Sequence, residues 1–178
     1  MGMHYESLDD KVRLYMLEEL ELDITTAKLY ISPRLTEEGV RIWPDLLREA
    51  FRNYDDNWLA EQLRSRKLLK KTEQRRTRKG IVTVKVPRTA PETLAEGEFN
   101  RFYIRGLCRA VLADGGTEVE VYRGKEVRNP RMESELMIGR RLPAQQLLED
   151  LRKNLGVEPA FGLPPGPNSG LTVRRVVK

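Results

Sequence analysis

The stretch from Pro91 to Ala113 limits what this chain can fold into more than any other. Leu94, Phe99, Phe102, Tyr103, Ile104, Leu107, Cys108, Val111 and Leu112 recur there at helical spacing and cover much of a helix's circumference. A helix that is apolar on most sides is stable only when other elements surround it. The spacing therefore predicts a central core helix over 91–113, ended by Asp114-Gly115-Gly116. Its remaining face carries Arg101, Arg105 and Arg109 at four-residue steps, which reads as a polar side with Glu98 in reach of Arg101 or Arg105.

The cover for that helix is sought on both sides of it. Upstream, Ser7 reads as an N-cap for a helix over 8–22, with Val12, Tyr15, Met16 and Leu20 as its apolar stripe. Thr26 to Ser32 alternates and reads as a short strand ended by Pro33. Thr36 with Glu37 and Glu38 marks another helix start, and Pro44 fits the N1 position of the amphipathic run PDLLREAFRN. Asp55 or Asp56 caps a third helix bearing Trp58, Leu59 and Leu63. Downstream, Ile81–Val86 and Thr117–Arg123 alternate as strands, and a further strand is expected near 126–128. A helical turn within 131–141, a helix from Pro143 to Asn154 and a last strand over 171–177 complete the reading.

These elements predict an α+β protein: an N-terminal helical region, then a long helix packed on a small, mainly antiparallel sheet, with extended arms. Four segments are expected. They are an acidic helical head over 1–63, a basic connector and strand over 64–90, an α+β body over 91–158, and a Pro/Gly-rich arm with a terminal strand over 159–178.

The formal charge of +5 on 178 residues conceals a strong segregation. Residues 1–60 carry 7 basic and 13 acidic side chains, whereas Arg64 to Arg88 carries 11 basic side chains and one acid, Glu73. Arg64, Arg66, Lys67, Lys70, Lys71, Arg75, Arg76, Arg78 and Lys79 are the candidate partner- or nucleic-acid-binding residues. Such a run suits the phosphates of a nucleic acid, or an acidic protein partner such as the head of another copy. It contains no aromatic side chain, so stacking on single-stranded bases is not suggested. Arg outnumbers Lys by 22 to 10, which favours bidentate contacts.

Catalytic chemistry finds few residues. One Cys and one His provide neither a disulfide framework nor a Cys/His zinc site. His4 sits near an expected mobile terminus, and Cys108 falls within the apolar pattern of the long helix. No G-x-G-x-x-G or P-loop is present. Glu118 and Glu120 share a strand face, with Asp114 before them and Lys125 after, which brings a metal-dependent nuclease to mind. That pattern needs acid and lysine two residues apart, and Glu120 and Lys125 are five apart. No catalytic residue, metal or cofactor is expected. No run of 18 apolar residues occurs, and MGMHYESLDDK has neither the basic nor the apolar region of a secretory signal, so neither a membrane span nor export is expected.

The segments GEFNRFYIRGLCRAVL, VYRGKEVRNPRMESELMIG and GLPPGPNSGL resemble stretches of uncharacterised proteins from bacteriophage and prophage structural-gene regions. The resemblance spans most of the chain and carries no family catalytic residue. It implies a non-enzymatic virion or head-assembly component, assembled in the host cytoplasm, whose partners are other virion proteins and copies of itself, with DNA contact open. A nucleic-acid-binding accessory protein is the alternative, and a metal-dependent nuclease the least favoured.

Overall fold

The computed structural model describes residues 2–163 and 169–177. In chain order they form α1 (Asp10–Thr25), α2 (Glu37–Asn53), α3 (Asp56–Ser65), β1 (Thr72–Thr77), β2 (Gly80–Lys85), α4 (Ala90–Ala113), β3 (Glu118–Arg123), α5 (Met132–Met137), β4 (Arg141–Pro143), α6 (Ala144–Lys153), α7 (Val157–Ala160) and β5 (Leu171–Arg175). The class is α+β, with two small antiparallel sheets: the hairpin β1-β2 and a three-stranded sheet in the order β4-β3-β5.

The long helix is the axis of the molecule, as its all-round apolar pattern requires. α1, α3, α6 and the β3–β5 sheet all pack against α4. Phe99, Phe102, Tyr103, Ile104, Leu107 and Cys108 are all fully buried. Tyr5, Phe51, Phe99, Phe102 and Tyr103 form a tilted and edge-on aromatic cluster with centroids 4.8–5.5 Å apart. α1 approaches α4 so closely that a Cβ on Gly106 would stand 2.9 Å from the Val12 carbonyl oxygen. Head and body thus share one continuous core.

Local chemistry explains most boundaries. Asp9, Thr36 and Asp55 cap α1, α2 and α3 by accepting from the backbone N–H three residues on, at 2.9, 3.0 and 2.9 Å. The α1 cap is therefore Asp9, and the expected Ser7 serves elsewhere: its hydroxyl accepts from the Arg175 N–H at 3.0 Å. Pro44 opens no helix, because Thr36 has already started one, and α2 runs through it. The expected strand at Thr26–Ser32 is absent, since Ala27 takes a left-handed φ of 56° to leave α1 and no strand lies alongside. The expected strand near 126–128 is likewise absent; β3 pairs instead with β4 and β5.

Both ends of the chain are tied to the body. The N–H of His4 donates to the Gly124 carbonyl at 2.8 Å, and the Tyr122 hydroxyl donates to the His4 carbonyl at 2.6 Å. The terminus bearing His4 is therefore docked against the expectation of mobility. The expected Pro/Gly arm is part of the body wherever it is described: Phe161 and Leu163 are buried, and β5 pairs along β3. Its central residues 164–168 lie outside the described residues.

One buried carboxylate stands out beside that docked terminus. Asp56 is 1% exposed, accepts from the Met3 N–H at 3.0 Å through Oδ2, and has no partner for Oδ1 among the described residues. Burial pushes its carboxyl from 3.8 up to about 6, against the Met3 hydrogen bond and with help from Glu96 and Asp55. Between those two values the folded chain holds a proton that the unfolded chain has released. The stabilisation from this group is therefore complete below pH 3.8 and lost as pH rises through 6. Two units correspond to about 3 kcal/mol at neutral pH. Asp56→Asn keeps an acceptor for Met3 and buries no charge. Thermal melts are expected to show Asp56→Asn several degrees more stable than the parent at pH 7.5 and no more stable at pH 4; a less stable variant at pH 7.5 contradicts this reading.

Candidate binding arm

The basic connector is neither a disordered linker nor a helix. It is a pinned root followed by a hairpin. α3 ends at Ser65, Lys67 turns with φ 52°, and Leu68 drops into the core at 1% exposure. The Thr36 N–H donates to the Leu68 carbonyl and the Lys70 N–H to the Arg34 carbonyl, each at 2.8 Å. β1 then leaves the body, turns at Arg78-Lys79 and returns as β2, with Gly80 at φ 118° where a side chain would be strained. The Val86 N–H closes the root on the Lys71 carbonyl at 2.9 Å.

A two-stranded hairpin alone in water is marginal. This one is held by its closed root, by β-branched residues on β2, and by one ion pair: the Arg34 guanidinium grips Glu73 with two bonds of 2.8 and 3.1 Å. Beyond that it is open on both sides. Of its twelve residues only Glu73 and Val84 are partly covered. The register sorts the side chains into two faces. Thr72, Gln74, Arg76, Ile81, Thr83 and Lys85 share one, all exposed, with Thr72, Gln74 and Thr83 bordering a groove beside Pro33, Arg34 and Lys70, and Glu73, Arg75, Thr77, Val82 and Val84 share the other.

The expected site residues divide accordingly. Arg64, Lys67, Lys70 and Lys71 meet at the root, where with Arg88 they line a groove of about 620 Å³ floored by Leu63, Leu69, Val86, Pro87 and Pro91. Arg75, Arg76, Arg78 and Lys79 project along the hairpin and its tip. Arg66 is exposed beside the root and lies outside that groove. Arg64 also pairs with Glu92. The expected set omitted Lys85 and Arg88, though the same charge run continues into them through IVTVKVPR.

Ion pairing separates this arm from the rest of the chain. The acidic head finds its countercharges within the fold. Glu19 accepts from Arg105 at 3.0 Å and from Arg152 at 2.9 and 2.8 Å, and Asp23 accepts a bidentate pair from Arg105 at 2.8 Å. Glu18 pairs with Arg109, Glu21 with Arg48, Glu6 with Arg174 and Asp9 with Arg175. Burial pushes the Glu19 carboxyl up, but the Arg152 and Arg105 guanidiniums overcome this and hold it below the usual range. The stripe expected to be the polar side of α4 is thus buried: Arg101 is 1% exposed and Arg105 0%, both lying over the Phe102 ring. The expected Glu98–Arg101 pair is present at 2.9 Å.

By contrast, none of the ten basic residues from Arg66 to Arg88 makes an ion pair among the described residues. Elsewhere among the described residues the cations without ion pairs, such as Lys28, Arg140, Arg141 and Lys153, are scattered; here ten of them follow one another along a single segment.

The other candidates are dispersed. Glu120 is held by Arg174, Glu118 is exposed, and Lys125 pairs with Glu96. No three His, Cys, Asp or Glu side chains gather to hold a metal among the described residues. Cys108 is buried in α4, and burial pushes its thiol up. No helix among the described residues is long and apolar enough to cross a membrane. Comparisons with protein-family models, curated proteins and solved structures yield no match.

Proposed function

We propose that this chain is a non-enzymatic assembly protein that docks through its basic hairpin, in the setting the sequence resemblance suggests: a bacteriophage-type particle put together in the host cytoplasm. The observation that carries this reading is the concentration, among the described residues, of ten cations without ion pairs along an arm that the body leaves open and its root, while most carboxylates of the head are paired within the fold. A second copy's head offers such an arm few free acids. Of its carboxylates, Asp10, Glu37, Asp55, Asp56 and Glu61 make no ion pair among the described residues; Asp10 and Glu37 face the first turn of a helix, Asp55 caps α3 and Asp56 is buried, which leaves Glu61 as the exposed one outside a helix start. The arm is suited to a dense anionic surface outside the chain. The rigid α4-centred body fixes its direction, and the closed root makes it preformed, so less ordering cost falls on binding.

Retention on immobilised heparin tests the reading without presuming a biological partner. The parent chain is expected to elute well above 0.3 M salt, a rough figure for several simultaneous anion contacts. A variant with 72–85 replaced by a short Gly-Ser turn is expected to elute early with an unchanged near-ultraviolet spectrum. Equal retention of the two sinks the proposal.

A further inference from the structure

Resting on that reading, we infer that the partner is a nucleic-acid double helix, with the β1-β2 ribbon seated in its major groove. Three observations on the arm converge. The first is shape. Two antiparallel six-residue strands make a ribbon about 20 Å long, and the major groove, about 12 Å wide, admits such a ribbon. The second is the distribution of charge. Arg75 lies on one face, Arg76 and Lys85 on the other, Arg78 and Lys79 at the tip, and Lys67, Lys70, Lys71 and Arg88 in the root groove. A flat protein surface meets one face of a hairpin. Cations on both faces and at both ends suit a ribbon with a phosphate backbone on each side. The third is the chemistry of the exposed face: Gln74, Arg76 and Thr83 stand together there. These are side-chain types that bond adenine, guanine and either base edge in the major groove, with a threonine methyl available to thymine. Between them Ile81, 66% exposed, offers apolar contact that water does not reward.

The roles divide on this basis. Root and tip cations hold phosphates and set affinity; Gln74, Arg76 and Thr83 face the groove floor. Nothing covalent is involved.

The experiment uses the full chain and fluorescence anisotropy with three probes: a mixed-sequence 30-base-pair DNA duplex, a 30-nucleotide single strand and poly-glutamate. The duplex is expected to bind at least tenfold more tightly than either competitor. Methyl green, seated in the major groove, is expected to displace the chain, and netropsin, seated in the minor groove, is not. Among duplexes of varied sequence, Gln74→Ala with Arg76→Ala is expected to shrink the spread of affinities about tenfold, whereas Lys70→Gln with Lys71→Gln weakens all sequences alike. Poly-glutamate binding as tight as duplex, abolished by loss of the arm, overturns the duplex and leaves the arm as a docking element for acidic proteins. Displacement by netropsin alone overturns the major-groove placement. Retention of duplex binding without residues 72–85 overturns both this inference and the reading beneath it.

Discussion

Arg105→Met is expected to cost about 3–5 kcal/mol of folding stability. The guanidinium is fully buried, and it holds Glu19 through Nε and both oxygens of Asp23 through its terminal nitrogens. Methionine fills much of the volume, so little of the loss comes from a cavity. The loss comes from Asp23, left with Arg101 at 3.7 Å as its remaining ion-pair partner, and from Glu19, left to the half-exposed Arg152 and Arg109. At about 2–4 °C per kcal/mol, the melting midpoint is expected to fall by about 10 °C. Arg105→Lys does not restore it, because an ammonium cannot span both carboxylates. The surface pair Arg41–Glu38, 3.7 Å apart with side chains 72% and 61% exposed, is the control. Arg41→Met is expected to change stability by less than about 1 kcal/mol. Equal melting curves for Arg105→Met and the parent would show the buried network to be dispensable.

The second large effect is on binding and leaves the fold alone. Arg75→Gln, Arg76→Gln, Arg78→Gln and Lys79→Gln together remove four charges from exposed positions that make no ion pair among the described residues. No buried contact is lost, so melting is expected to stay within about 1 kcal/mol of the parent. Glu73 remains with Arg34, and the root hydrogen bonds are untouched. Duplex affinity at 50–100 mM salt is expected to fall by about 10²–10⁴-fold, on the order of 1 kcal/mol for each of the four lost contacts, Arg76 with a base edge and the other three with phosphates. A small loss of affinity beside normal folding places the binding surface elsewhere.

Much of this architecture is legible from the residues. The all-round apolar pattern of 91–113 identifies α4 as the axis, the capping residues Thr36 and Asp55 locate α2 and α3, and the alternation of TEVEVYR marks β3. The hairpin is less so. β2 reads as a strand because Ile81, Val82 and Val84 are β-branched, but TEQRRT has no alternation, since neither face of β1 packs against a core. Its strand character is imposed by backbone pairing with β2. Pro44 misleads because helix α2 tolerates one missing N–H when Thr36 has nucleated it eight residues earlier.

The buried arginines were hidden by a general expectation that charge faces water. The signal for them is a match between two distant segments. Glu19 and Asp23 are four apart on α1, as Arg101, Arg105 and Arg109 are on α4, so antiparallel helices bring the two series into register. The nine candidate site residues were named from charge alone. What the sequence did not contain is their division into a root groove and a projecting ribbon, because that depends on Leu68 being drawn into the core between them.

The central claim is that unpaired cations on one preformed arm hold an external polyanion. It is tested most directly by the salt dependence of duplex binding for the parent and for the variant with Arg75, Arg76, Arg78 and Lys79 changed to Gln. If Arg75, Arg78 and Lys79 each meet one phosphate while Arg76 meets a base edge, the slope of log affinity against log salt is expected to be shallower in the variant by about 2.7. Two parallel lines, or a parent chain whose binding does not respond to salt, would contradict it.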